Sequence, residues 1–267
     1  MNIIVCIKQI YNPETPPKAF RIDVDTNNVL APPGDHPFVI NPFDEQAVEA
    51  ALRIKDVHGA KVTALCLGDA SAKTILKHAM AMGVDDGILL DVHDLEDYDS
   101  YLTAFVLTSA INKIGQYDLI FCGRQAGDWD NSQVGLGIAE LLGILSIHPA
   151  KKAEVVDGKV HVERVLDDGY ETLEVSTPCL IAISSEIGLP RYATLPGIMA
   201  AAKREIPTWN NNHLGLDPTQ LDSSAARTRM LKLFIPKREP NCIFFEAETL
   251  EEAAVDLAVK LREDNIF

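Results

Sequence analysis

Residues 123–135, GRQAGDWDNSQVG, follow the apolar run Asp118-Leu-Ile-Phe-Cys122 and precede the helical pattern Leu136–Leu142. That order reads as a strand, a polar glycine-bearing loop and a helix N-terminus. A helix start offers unpaired backbone N–H groups and the positive end of a dipole, so it attracts anions such as phosphate. Asp128, Asp130 and Asn131 inside the loop repel a bare phosphate unless backbone amides dominate; they suit ribose hydroxyls or adenine edges better. The chain has neither GxGxxG nor GxxxxGKS/T, so the usual dinucleotide and P-loop readings are weak. On spacing alone, nucleotide binding stands beside an ordinary βα turn.

Working back from this loop, strand and helix patterns alternate: Ile3–Ile7 strand, Asp44–Val57 helix, Lys61–Leu67 strand, Ser71–Met82 helix, Gly87–Leu90 strand, Asp99–Ile114 helix, Asp118–Cys122 strand and Ser132–Leu142 helix. Apolar residues at Ala47, Val48, Ala51, Leu52 and Ile54 show the helical period. Repeated βα units predict an α/β fold, a Rossmann-like doubly wound parallel sheet with helices on both faces. Ligands of such sheets sit outside the carboxyl ends of the strands, which again selects the loop after Cys122. Asn41-Pro42-Phe43-Asp44-Glu45 opens the first helix and Asp99-Ser100-Tyr101-Leu102-Thr103 the third. Each reads as a helix cap with a functional alternative, a second nucleotide contact or a pyrophosphate contact.

Forward of the loop the pattern changes after Pro149. Ala153–Val156, Val160–Val165 and Thr172–Val175 alternate around Asp157-Gly158 and Asp168-Gly169, which read as hairpin turns. Pro178–Ser184 is a further apolar strand. The stretch from Gly188 to Pro218 is rich in turn residues and expected at the surface. Within it, Arg191–Met199 reads either as a buried irregular loop or as an apolar anchor for another protein. Thr228–Ile235 is an isolated strand-like run, and Thr249–Arg262 an amphipathic helix with Thr249 and Glu252 as a capping box. From about Asn210 the elements are too short for a core of their own and must pack on the main domain or on another chain. The organisation expected is an α/β domain over 1–190, a connecting and partner-recognition segment over 191–227 and a C-terminal arm over 228–267.

Bulk properties narrow the function. Among 267 residues, 39 Asp and Glu outnumber 24 Lys and Arg, giving a net charge of −15 that disfavours nucleic acid and anionic membranes. No apolar run approaches the roughly 18 residues a membrane span needs. The opening Met-Asn-Ile-Ile-Val-Cys-Ile reads as the first strand rather than a signal peptide. Cys6, Cys66, Cys122, Cys179 and Cys242 form no CxxC pair, and the seven histidines form no HxxxH or HExxH. The expectation is a cytoplasmic protein with reduced thiols, no metal site and no catalytic residues of its own.

The ordered segments NPFDEQAVEAALRIKD (41–56), AMAMGVDDG (79–87), GRQAGDWDNSQVG (123–135), VERVLDDGYETLEVSTPCLIAIS (162–184) and PRYATLPGIMAAAKREI (190–206) resemble the β (small) subunit of electron transfer flavoprotein, including the FixA group, over essentially the whole chain. The resemblance implies a heterodimer with a larger α subunit, a redox FAD held mainly by α at the interface, and a structural AMP in this subunit. It implies electron transfer from acyl-CoA dehydrogenases, as in fatty acid oxidation, to a quinone oxidoreductase. Carried over by motif, nucleotide contacts fall on Cys6, on Asn41, Pro42, Phe43 and Asp44, on Leu67, and on Gly123, Arg124, Gln125, Ala126, Gly127, Asp128, Trp129, Asp130, Asn131, Ser132, Gln133 and Val134. Partner recognition falls on Arg191, Tyr192, Leu195, Pro196, Ile198 and Met199, with Leu195 as the anchor. The stretch from Thr228 maps to the arm around α, and Arg164 lies near the flavin interface, followed by Val165 where some relatives carry an acid. A second branch bifurcates electrons, with a second FAD in place of AMP, NADH as donor and ferredoxin as acceptor. Its VPDT motif is replaced here by Ile10–Thr15, and the glycines before its third helix are absent, whereas Asp99, Ser100 and Thr103 echo its ADT pattern.

Overall fold

Strand β1 (Asn2–Ile7) lies inside a nine-stranded sheet. The computed structural model describes residues 1–23, 28–30, 38–92, 99–221, 224–236 and 242–266. In chain order β1 is followed by β2 (Gln9–Tyr11), β3 (Arg21–Asp23), β4 (Asn28–Leu30), β5 (Phe38–Ile40), α1 (Pro42–His58), β6 (Lys61–Leu67), α2 (Lys73–Met82), β7 (Asp86–Leu90), α3 (Ser100–Ile114), β8 (Leu119–Gly123) and α4 (Val134–Leu142). Then come β9 (Leu145–Val156), β10 (Lys159–Leu166), β11 (Gly169–Val175), β12 (Cys179–Ile183), α5 (Leu195–Ala202), β13 (Thr208–Trp209), α6 (Asn211–Leu214) and α7 (Leu250–Glu263). The chain divides into two compact units, Met1–Lys232 and Leu233–Phe267.

The sheet order is β11-β10-β9-β12-β8-β1-β6-β7-β13. β1 pairs in parallel with both β6 and β8, and β12 in parallel with β8 and β9. Antiparallel pairing within this sheet is confined to β9–β10–β11. From β1 the chain winds to β6 and β7 on one side, then returns through α3 to β8 on the other side. The winding reverses between β1 and β8, and that is where a doubly wound sheet opens a crevice for a ligand.

Both faces of the central strands are covered, which is why they read as continuous apolar runs. Ile3, Val5 and Ile7 share one buried cluster with residues of α1 and α2 and with Ala201 of α5. Ile4, Cys6, Ile120 and Cys122 face α3 and α4. Four of the five cysteines are buried and Cys242 is exposed; none is in a disulfide.

One hairpin expectation holds and four others shift. The first hairpin turns on Asp157-Gly158, with φ of 50° and 79°, the left-handed pair a two-residue turn requires. The second turns on Asp167-Asp168, because Leu166 pairs with Gly169. α4 starts at Val134 rather than Ser132. The turn-rich segment contains helix α5 and the edge strand β13, which pairs with β7. Thr228–Ile235 forms no strand; strands need a partner edge, and Leu231, Phe234 and Ile235 stand exposed instead.

Candidate functional site

The crevice is built from the ends of β1 and β8 and the first turn of α1. Asp44 bridges the two strand ends: its Oδ2 accepts from the Lys8 amide at 2.8 Å and its Oδ1 from the Gly123 amide at 3.0 Å. Asn41 occupies the N-cap position of α1 but does not cap it with its side chain. Instead its Nδ2 donates to the Gln125 carbonyl at 2.9 Å and its Oδ1 accepts from the Gly127 amide at 3.1 Å. Asn41 and Asp44 are only 1% and 6% exposed. Two residues that local spacing assigns as caps thus form a latch holding residues 123–127 over the strand ends.

The rest of the loop is organised by its own backbone. The Ala126 amide donates to the Asn131 carbonyl at 3.0 Å and the Asp130 amide to the Ala126 carbonyl at 2.9 Å. Asp130 adopts φ 53°, a left-handed conformation Asp tolerates better than most residues. Its Oδ1 accepts from Gln125 Nε2 at 2.8 Å. Lys8 Nζ donates to both Asp128 oxygens at 2.7 and 2.8 Å, tying the end of β1 to the loop. The Arg124 guanidinium lies 4.8 Å over the Phe43 ring, and its Nε is buried without a hydrogen-bond partner. Gln133 does not cap α4 with its side chain. Among the described residues the amides of Val134, Gly135 and Leu136 have no acceptor, as expected of a helix start left open.

Burial pushes the Asp44 carboxyl up to about 7, against the lowering bonds from the Asn41 side chain and the Lys8 and Gly123 amides. Burial likewise pushes the Cys6 and Cys122 thiols well above the ordinary range, which keeps them protonated and unreactive. For Asp44 the folded state holds its proton more tightly than the unfolded chain. The group's contribution to stability is therefore full at pH below about 4 and is lost as pH rises towards about 7. The stability difference between wild type and Asp44→Asn, measured by urea unfolding, is expected to shift against wild type by roughly 3–4 kcal/mol between pH 4 and 8. A pH-independent difference overturns this assignment.

The structure brings Asn41–Asp44 and Gly123–Gln133 together with Val134 at the switch point. Cys6 lies beneath them on the α3/α4 side, and Leu67 ends the adjacent strand β6. Asp99 is committed elsewhere. Its Oδ1 accepts from the Leu102 amide at 2.8 Å, capping α3, and its Oδ2 accepts from the amides of Arg227 and Thr228. Thr103 Oγ1 donates back to the Asp99 carbonyl at 2.8 Å, and Ser100 opens α3. Lys8, which the sequence does not single out, joins the switch-point group through Asp128; a basic residue immediately after the first strand is the signal it carries. Among the described residues no group of three or more His, Cys, Asp or Glu is placed to hold a metal ion, and no helix is long and apolar enough to cross a membrane.

Away from the crevice, α5 carries an apolar stripe. Thr194 Oγ1 accepts from the Gly197 amide at 3.1 Å, and Pro196 sits in the first turn. A Cβ on Gly197 would lie 2.4 Å from the Ala81 carbonyl oxygen, so α5 rests closely on α2. Tyr192, Leu195, Ile198 and Met199 all face outward, Tyr192 at 91% exposure. Arg191 turns inward, to Glu49 and Asp56. Arg164 pairs with Glu171 on the neighbouring strand at 2.6 Å.

Together these features define a doubly wound α/β protein with a latched polar loop at its topological switch point. The family model for the electron transfer flavoprotein domain matches residues 34–214. Electron transfer flavoprotein subunit beta of Thermoanaerobacterium thermosaccharolyticum is 38% identical over 268 residues, covering 100% of each chain. Caffeyl-CoA reductase-Etf complex subunit CarD of Acetobacterium woodii is 34% identical, again over 100% of each chain. Acryloyl-CoA reductase electron transfer subunit gamma of Anaerotignum propionicum is 36% identical over 274 residues, with 100% of each covered. The chain belongs to the electron transfer flavoprotein family, on its β-subunit and FixA side.

Proposed function

We propose that this chain is the β subunit of a heterodimeric electron transfer flavoprotein, holding a structural AMP at the β1/β8 switch point and completing, with an α subunit, the site of one FAD. The observation that carries the reading is the loop Gly123–Gln133, latched by Asn41 and Asp44 beside the open N-terminus of α4. The donors and acceptors fit an adenine nucleotide. The free amides of α4 and the unpartnered Arg124 Nε supply N–H groups for phosphate oxygens. Asp128, Asp130 and Asn131 supply acceptors for ribose hydroxyls and the adenine amino group.

Flavin, when bound, supplies the one-electron chemistry; the protein's part is binding, orientation and electrostatics. Here the latch fixes the loop and the buried thiols of Cys6 and Cys122 stay protonated beneath it. The electron donor in this reading is an acyl-CoA dehydrogenase, the acceptor is quinone-linked, and the setting is cytoplasmic fatty acid oxidation. Support for a CoA-thioester partner comes from the two relatives named for caffeyl-CoA and acryloyl-CoA reductases. Those same names favour a second reading, the bifurcating branch, with a second FAD in place of AMP and with NADH and ferredoxin as partners. Against it, the Asp99 carboxylate is spent on α3 and on Arg227–Thr228.

Co-expression with the α subunit and chromatography of the released nucleotides tests both. One FAD and one AMP per heterodimer is expected; two FAD and no AMP selects the bifurcating reading, and no nucleotide beyond one FAD defeats the assignment of the crevice. Docking is tested separately at the exposed α5 stripe. Leu195→Ala is expected to raise the apparent KM for the dehydrogenase about tenfold, as loss of one buried leucine contact implies, with flavin content unchanged. An unchanged KM rules out Leu195 as the anchor.

A further inference from the structure

Between the buried Ile187 and Ala201, the segment exposes Leu189, Tyr192, Leu195, Ile198 and Met199, while Ala193 is partly buried against the core. Apolar packing holds the segment at Ala193 and along α5, and a polar clamp from α1 fixes its start at Ile187 and Arg191. Glu49, Arg53 and Asp56 lie at helical spacing on one face of α1. The Glu49 side chain is 7% exposed. Its Oε2 accepts from Arg191 Nε at 2.8 Å and from the Arg191 backbone amide at 3.1 Å. Its Oε1 accepts from Arg53 Nε at 2.9 Å and more distantly from Arg191 Nη2 at 3.4 Å. Asp56 Oδ2 accepts from Arg191 Nη2 at 2.8 Å. Arg53 Nη1 donates to the Ile187 carbonyl at 3.2 Å. One helix face thus grips both Ile187 and Arg191, the residues that lead into the exposed stripe.

We propose that Glu49 is the positioning residue of the docking surface: by fixing Arg191 through its backbone and its guanidinium together, it sets the place and direction in which Tyr192, Leu195, Ile198 and Met199 are offered to a partner. Arg191 is thereby an internal strut and not a partner contact. The inference rests on the reading of this segment as the docking element. A buried carboxylate is a poor way to add stability, since an apolar residue of similar size serves as well or better, but a good way to specify one arrangement. Burial alone raises the Glu49 carboxyl; the bonds from Arg191 and Arg53 outweigh it and hold the group below the ordinary glutamate range, so the clamp stays ionised at neutral pH.

The test uses the heterodimer with its α subunit and compares wild type with Glu49→Gln and with Asp56→Asn, an exposed change that removes the outer half of the grip should the buried variant fail to fold. Two readouts are taken. Trypsin must draw the Arg191 side chain out of the clamp to cut the Arg191–Tyr192 bond, so that cleavage, followed by mass spectrometry, is expected to speed up at least tenfold in Glu49→Gln and a few-fold in Asp56→Asn. Electron acceptance from a short-chain acyl-CoA dehydrogenase reduced by its acyl-CoA is expected to show a five- to tenfold higher KM for the flavoprotein, with kcat and flavin content within twofold of wild type. Unchanged cleavage overturns the role of Glu49 and leaves the docking reading standing. Faster cleavage with an unchanged KM overturns the docking reading, and the positioning role with it. A fall in kcat at constant KM also overturns the proposal, because misplacing a docking surface acts on encounter.

Discussion

Gly123→Ala is expected to destabilise the protein by about 3–5 kcal/mol, the sum of overpacking and a broken buried hydrogen bond. A Cβ at this position would lie 2.5 Å from Asp44 Oδ1, 2.6 Å from the Phe43 carbonyl carbon and 2.7 Å from Phe43 Cβ. Two of these atoms belong to the main chain or its first side-chain carbon, so no rotamer change relieves them. Either β8 moves away from the first turn of α1 or α1 moves away from the sheet. Both routes lengthen the bond from the Gly123 amide to Asp44, leaving a buried carboxylate with one donor fewer. Urea unfolding should show a lower midpoint with an unchanged slope, the signature of lost native stability rather than an altered unfolded state. If the crevice holds AMP, nucleotide recovered per heterodimer should fall in parallel. A loss below about 1 kcal/mol would show that the close approach is not what fixes the loop.

The parts of this fold that were readable from sequence are those whose signals are local. β1, β6 and β8 announce themselves as apolar runs because both of their faces are covered. The loop after β8 was found because strand, polar loop and helix follow one another directly. The latch across it was not, since Asn41 and Asp44 carry the same local signature whether they cap α1 or reach Gly127 and Gly123, 86 and 79 residues away. Asp99 shows the same limit in reverse. Its capping bond to Leu102 was legible, whereas its second oxygen holds Arg227 and Thr228, 128 and 129 residues on. α5 was hidden by Pro196 and Gly197, which look like turn residues; Thr194 as cap and Pro in the first turn are in fact helix-start signals. Thr228–Ile235 has the composition of a strand, but composition does not supply an edge to pair with. Glu49 gave no signal at all, because an acid on a helix face is ordinarily solvated.

Phe234→Asp together with Phe244→Asp is expected to weaken association with the α subunit by roughly 3–6 kcal/mol, about 10²–10⁴-fold in Kd, counting only the lost burial of two aromatic side chains. The reason lies in the unit Leu233–Phe267. Phe234 and Phe244 are exposed, Phe244 at 83%. On α7 no residue is buried, and Leu250, Val255, Leu257 and Val259 face solvent. Among its described residues this short unit buries no side chain and so shows no core to hold it, and so much exposed apolar surface marks a protein interface. Because neither phenylalanine is buried in the isolated chain, the double substitution should leave its own unfolding within about 0.5 kcal/mol of wild type. That separation distinguishes an interface from a fold defect. Reduced α binding with unchanged unfolding assigns the unit to the α subunit; reduced binding accompanied by a large loss of stability means that these side chains pack on their own chain in solution; and wild-type association by both variant and native protein removes the C-terminal unit from the interface.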